Sequence, residues 1–315
     1  SFIGAGQSNK ITDNSFFSFI GAGQSNTSDA SFGGVVSGRT NVASGHTTLI
    51  GAGQSNTIES NTTTTTSFSS IVGGMSNNIK AGSNFSSIGN GQNNTIDSEY
   101  SSISGGQSNT VSDISNKSSI SGGMQNTLTN SSCYSTIGGG FFNIFNNSCA
   151  SVISGGVYNT MCDSSNSSIS SGQSNELNCS YFSNISGGLN NTSYISNNSS
   201  ISGGESNKIE CSLYVNISGG LNNTIESSNK SNIVGGQCNT LTNSSSHSTI
   251  SGGYGNTLSD SSCYSSISGG SSNTLSDSSV YSSISGGYGN TLTGSSYNSS
   301  ISGGCFNRLN TSCYS

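Results

Sequence analysis

Single isoleucines and valines stand between short polar words along this chain, and they return at a nearly fixed step. The first apolar residue of each group is Ile3, Ile20, Val35, Ile50, Ile71, Ile88, Ile103, Ile120, Ile137, Ile153, Ile169, Ile185, Ile201, Ile217, Ile233, Ile250, Ile267, Ile284 and Ile301. The step between successive anchors is 15, 16 or 17, except for one of 21 between Ile50 and Ile71. Eight positions beyond the anchor, 16 of the 19 groups carry a second large apolar residue; Ser28, Ala43 and Ser193 are the exceptions. Three positions beyond, all 19 have glycine, and six positions beyond, all 19 have asparagine, from Asn9 to Asn307. Only 42 of 315 residues are asparagine, so a complete column cannot come from composition.

A step of 16 or 17 is too short for a helical hairpin and too long for one strand. It fits one coil of a parallel β-solenoid, built from short strands and tight corners. The expected fold is all-β: one continuous solenoid over residues 1–315, about 19 coils, with a loop insertion near 60–67 where "NTTTTT" lengthens one coil. In "SSIS" the isoleucine is expected to face inward and the serines outward, by strand alternation. The glycines make a corner, and in "NTL" asparagine and leucine face in. Asn109, Asn126, Asn159, Asn207, Asn223, Asn256, Asn273 and Asn290 then form a buried structural ladder, one amide per coil. The remaining six to eight residues of each coil are expected to be a polar return loop.

Composition changes this picture little. Leu, Ile, Val and Phe together make up only about a fifth of the chain, too little for conventional globular cores, while Ser and Thr reach 108. Disorder would require a higher net charge than −6 and would not keep strict spacing. Two aliphatic side chains per coil bury too little to offset the ordering of its backbone, so the coils must stack. There is no proline to interrupt a ladder and no apolar run of transmembrane length. The chain begins and ends within the repeat, which leads to the expectation of a fragment or of ends covered by neighbours.

The stretches "STIGGGFFN" at Ser135, "SSISGGQSNTV" at Ser101 and "SSIVGGMSNNI" at Ser69 carry a resemblance. They resemble the S-T-V-G-G-G-x-x-N-T repeats of trimeric autotransporter-like adhesin heads and of phage or viral fibre proteins. That resemblance implies an extended extracellular β-solenoid or β-roll, often trimeric, at a cell or virion surface.

Candidate chemistry is sparse. His46 and His247 lie about 12 coils apart and cannot share a site. No calcium repeat, zinc pairing or phosphate loop appears, so no catalytic residue, metal or cofactor is expected. Carboxylates seldom align; Asp260 and Asp277 share a loop column in adjacent coils and are a pair that could hold a cation weakly, with solvated aspartates the plainer reading. Seven lysines and arginines in all argue against a nucleic-acid partner. Of nine cysteines, Cys133 and Cys149 stand at the same position in neighbouring coils and are a candidate disulfide. Twenty N-x-S/T sequons occur. Candidate glycosylation sites are the loop residues Asn61, Asn84, Asn116, Asn130, Asn146, Asn166, Asn178, Asn198, Asn229, Asn243 and Asn298. Three residues before the anchor lies an aromatic column: Phe17, Phe32, Phe68, Phe85, Tyr100, Tyr134, Phe182, Tyr214, Tyr264 and Tyr281. It reads as a stacked ladder supporting a corner, or as an exposed stripe for lateral association or glycan stacking.

These features point to a non-enzymatic structural segment of an extracellular filament, a rigid rod displaying polar loops and self-associating into a filament or homo-oligomer. An adhesin-type module binding carbohydrate or a cell surface is the alternative. An ice-binding solenoid is a third reading, although paired threonine columns are missing.

Overall fold

The computed structural model describes residues 1–12, 15–311 and 314. The chain folds as an all-β parallel solenoid of 19 coils, and no described residue is helical. It falls into two compact units, Ser1–Tyr158 and Asn159–Ser315. Ten anchors lie in the first unit and nine in the second. Among the described residues no helix is long and apolar enough to cross a membrane.

Within each unit every coil gives one short strand to each of two parallel sheets. In the first unit Ser102–Ile103 pairs with Ser119–Ile120, and Thr110–Val111 pairs with the first two residues of Thr127–Thr129. In the second unit Ser266–Ile267 pairs with Ser283–Ile284, and Thr274–Leu275 pairs with the first two residues of Thr291–Thr293. The register sets like on like, so each sequence column becomes a line of side chains about 4.8 Å apart. Between the two strands a single bridge residue pairs coil to coil, as in Gln92 to Gln107 to Met124. Most strands have two or three residues; Thr27–Ser31 and Val42–His46 have five and pair along their whole length.

The core is two apolar lines. Ile103, Ile120, Ile137 and Ile153 with Val111, Leu128 and Phe145 are fully buried in the first unit. Ile201, Ile217, Ile233 and Ile250 with Ile209, Ile225, Leu241 and Leu258 do the same in the second. The serines of "SSIS" depart from expectation. The serine directly before the anchor is exposed or half-buried, but the one two residues before it (Ser101, Ser118, Ser135, Ser265, Ser282) is buried. Strand alternation itself requires this, since positions two apart face the same way.

The return segment is correspondingly more ordered than a loop. A second serine column, Ser115, Ser132 and Ser148 in the first unit, is also fully buried. Hydroxyls of the column before the anchor do two things, as two examples show. Ser118 Oγ donates to the Ser132 carbonyl at 2.8 Å and accepts the Ser135 N–H at 3.1 Å. In the second unit Ser265 Oγ donates to Ser279 O at 2.9 Å and accepts the Ser282 N–H at 3.0 Å. Serine is small enough to enter the interior and polar enough to satisfy a return backbone that forms no regular sheet.

Candidate functional site

The column that binds coil to coil pairs glycine with asparagine. Asn207 is fully buried, and its Nδ2 donates to Gly203 O and to Gly220 O of the next coil, both at 2.9 Å. Its N–H donates to Asn191 Oδ1, and its own Oδ1 accepts the Asn223 N–H, both at 3.0 Å. Asn109, Asn126, Asn159, Asn223, Asn256, Asn273 and Asn290 are buried to the same degree. In the first unit some amides also reach one another, as Asn126 Nδ2 does to Asn109 Oδ1 at 3.2 Å. The glycine three residues before the asparagine serves the same device. Gly204 has φ of +88°, and a Cβ there would stand 2.1 Å from Gly220 O and 2.6 Å from Asn207 Nδ2. Glycine is required because the asparagine amide and the next coil's backbone occupy the side-chain space.

The aromatic column lies on a left-handed corner. Phe17, Phe32, Phe68, Phe85, Tyr100 and Tyr134 have φ between 54° and 67°, a strained conformation for bulky side chains. Their rings stack outside the solenoid: Phe68 on Phe85 at 4.9 Å and 9°, Phe85 on Tyr100 at 4.8 Å and 5°. Phe17 stacks on Phe32 at 5.2 Å, and the His46 ring bridges Phe32 and Phe68 edge-on. Lys117 takes the corner between Tyr100 and Tyr134; its Nζ lies 4.9 Å from the Tyr134 ring centroid and donates to Tyr134 Oη at 3.0 Å. That bond raises the Lys117 pKa above its ordinary value. Both features the sequence offered as alternatives are present together, since the rings stack and remain exposed. In the second unit His247, Tyr264 and Tyr281 stack, while Asn166, Asn198, Lys230 and Asn298 hold other corners of the column.

None of the eleven candidate glycosylation asparagines is buried. Asn61, Asn130, Asn166, Asn198, Asn229, Asn243 and Asn298 are exposed, and Asn84, Asn116, Asn146 and Asn178 are half-buried. Several act as clips to the preceding coil, a role their motif does not reveal. Asn116 Oδ1 accepts the Glu99 N–H at 2.8 Å, and Asn229 Oδ1 accepts the Leu213 N–H at 2.7 Å. Nδ2, the atom a glycan would occupy, is committed to Glu99 in Asn84 and to Asp260 in Asn243.

Cys133 and Cys149 are both present as thiols. Their Sγ atoms donate to Ile114 O at 3.0 Å and Ser131 O at 2.8 Å. Burial is the main cause pushing the Cys133 thiol up, with Cys149 beside it. Cys162 is pushed further, to about 11, by burial and by its hydrogen bond to Asp163. At pH 8 its thiolate fraction should be about 100-fold below that of an unperturbed thiol. Iodoacetamide labelling followed by peptide mass spectrometry should therefore show Cys162 modified far more slowly than exposed Cys211; equal rates would remove the argument.

Asp260 Oδ1 accepts from Asn243 at 2.9 Å, and an Asp277 carboxylate oxygen accepts from the Thr293 hydroxyl. Among the described residues no group of three or more His, Cys, Asp or Glu is placed to hold a metal ion. The periodic surface is broken at the long coil. There the Asn61–Thr64 turn, closed by Asn61 Oδ1 on the Thr63 and Thr64 N–H groups, borders a groove of about 400 Å³. Asp29, Ser31, His46, Ser60 and Thr65 are among its lining residues. The chain matches no known protein-family model and no curated protein sequence.

Proposed function

We propose that the chain is a structural segment of an extracellular surface fibre, a scaffold whose constrained residues hold one coil to the next. The observation that carries this reading is the glycine–asparagine column. It is complete in every coil, its asparagines are fully buried throughout the body of each unit, and their amides are spent on backbone groups rather than on a ligand. A chain whose invariant residues all serve stacking is built for rigidity and repeat number. The resemblance to adhesin heads and fibre repeats supports the same placement, and the exposed loop asparagines would accept N-glycans in a eukaryotic secretory pathway. Immunogold labelling of native material with antibody to this chain is expected to decorate surface fibres. Diffuse intracellular label would overturn the proposal.

The groove beside the long coil favours a second reading, an adhesin-type module. Among the described residues its lining offers hydroxyls, a side-chain amide, one carboxylate and one imidazole, with no ammonium or guanidinium, which suits a neutral sugar. Glycan-array binding by the full chain that is lost in Asp29→Ala would support this reading; an array without signal would remove it.

A further inference from the structure

The first unit carries more exposed aromatic surface than a solitary solenoid needs. Phe17, Phe32, Phe68, Phe85, Tyr100 and Tyr134 are each between 49% and 76% exposed. At about 200 Å² for a fully exposed ring side chain, they present together about 700 Å². The largest apolar patch on a typical monomer is about 300–600 Å². One partner of a stable protein interface contributes about 800 Å². Polar loops do not need such a stripe, and the corner does not either: Thr47, Lys117 and Lys230 hold it with φ between 53° and 58°.

We propose that this aromatic column is a lateral interface that docks a second copy of the chain. The geometry of the rings selects the occupant. In the run Phe68–Phe85–Tyr100 the planes are within 9° of parallel, at 4.8–4.9 Å. Ring faces there cover one another, and what points outward is edges. A sugar stacks on a free ring face, which this run lacks. Edges instead pack against the ring edges of a partner, seated in the shallow grooves between its successive rings. Matching ring edges to grooves along several rungs requires a partner with the same rise of about 4.8 Å. A second ladder of this chain has that rise by construction. Charge does not oppose it, because Lys117 is the only charged residue in the column from Phe17 to Tyr134 and it is held over the Tyr134 ring.

This inference deepens the fibre reading and rests on it for its biological setting, but the two fail separately. The test is sedimentation equilibrium of the full chain against concentration, with a Phe68→Lys/Phe85→Lys double variant and a Val72→Lys control. Lysine is native to this corner at Lys117 and Lys230, so the variant should fold, and its circular dichroism should match the parent. Val72 is exposed on a different column. The parent should associate reversibly, the double variant should do so at least about 100-fold more weakly, and the control should be unchanged. A parent that is monomeric at its highest soluble concentration overturns the proposal. So does a double variant that associates as tightly as the parent, or an equal loss in the control. Binding of phosphatidylcholine vesicles or cello-oligosaccharides by a chain that stays monomeric would assign the face to lipid or glycan, and overturns it too. Intracellular label with self-association intact would overturn the fibre reading and leave the interface standing.

Discussion

Asn207→Asp should destabilise the second unit by about 3 kcal/mol or more, whereas Asn229→Asp should change stability by no more than about 0.5 kcal/mol. At position 207 the Oδ1 acceptor for Asn223 N–H survives the change. The other carboxylate oxygen then faces two carbonyls, Gly203 O and Gly220 O, that previously received N–H donors. That second oxygen, negatively charged and fully buried among acceptors, has neither partner nor water. Asn229 is exposed, and its Oδ1 bond to Leu213 N–H is made equally well by a carboxylate. The penalty at 207 also has a pH sign. Burial raises the folded pKa of the new carboxyl above the unfolded value near 3.9. Below the unfolded value both states are protonated and the charge cost is absent. It grows as pH rises between the two values and is complete above the folded one. Thermal melts of both variants at pH 4 and pH 7 check this; equal shifts for the two at pH 7 would mean that the asparagine column is not the buried ladder described above.

The paired glycines give the second large effect, because the neighbours in "GG" are not equivalent. Gly236 has φ of +87°, and a Cβ there would stand 2.2 Å from Gly253 O and 2.6 Å from Asn239 Nδ2. Gly235 is not left-handed, and a Cβ there meets nothing within 4 Å. Gly236→Ala combines a left-handed strain of about 1–3 kcal/mol with a backbone collision that only coil separation relieves, for a total of about 3 kcal/mol or more. Gly235→Ala should be within about 1 kcal/mol of the parent, and its lower unfolded-state entropy favours a small gain. Guanidinium unfolding of the two single variants separates them. A Gly235→Ala loss as large as that of Gly236→Ala would contradict the corner geometry.

Why some of this was legible in the sequence and some was not follows from the chemistry of each column. Isoleucine among serines stands out by hydropathy, and the asparagine and glycine columns are complete because no other side chain meets their demands. The buried serines do not stand out. Serine occupies the position two before the anchor in 16 of 19 coils, with Gly33, Thr48 and Val215 as exceptions, but 81 of the residues are serine. Its regularity therefore resembles background, and a hydroxyl that pairs with backbone can be buried without any hydropathy signal. Counting positional regularity would have found it; judging polarity could not. The aromatic column was visible as a column, yet its exposure depends on the corner conformation, which spacing does not encode. The boundary at Tyr158 leaves no mark at all, since the step from Ile153 to Ile169 is an ordinary one.

In-register pairing of like on like has a genetic consequence. A coil meets its neighbour through the same glycine, asparagine and serine groups on either side, so a tandem duplication of one period inserts a rung that docks without compensating changes. Loss of a period by unequal recombination closes equally well. Frame-preserving slippage of about 48 or 51 nucleotides is thereby converted into a change of about 4.8 Å in the stack, with the surface chemistry retained. Variation in coil number among alleles is the heritable change this fold tolerates most readily, and point substitution in the glycine–asparagine column the one it tolerates least.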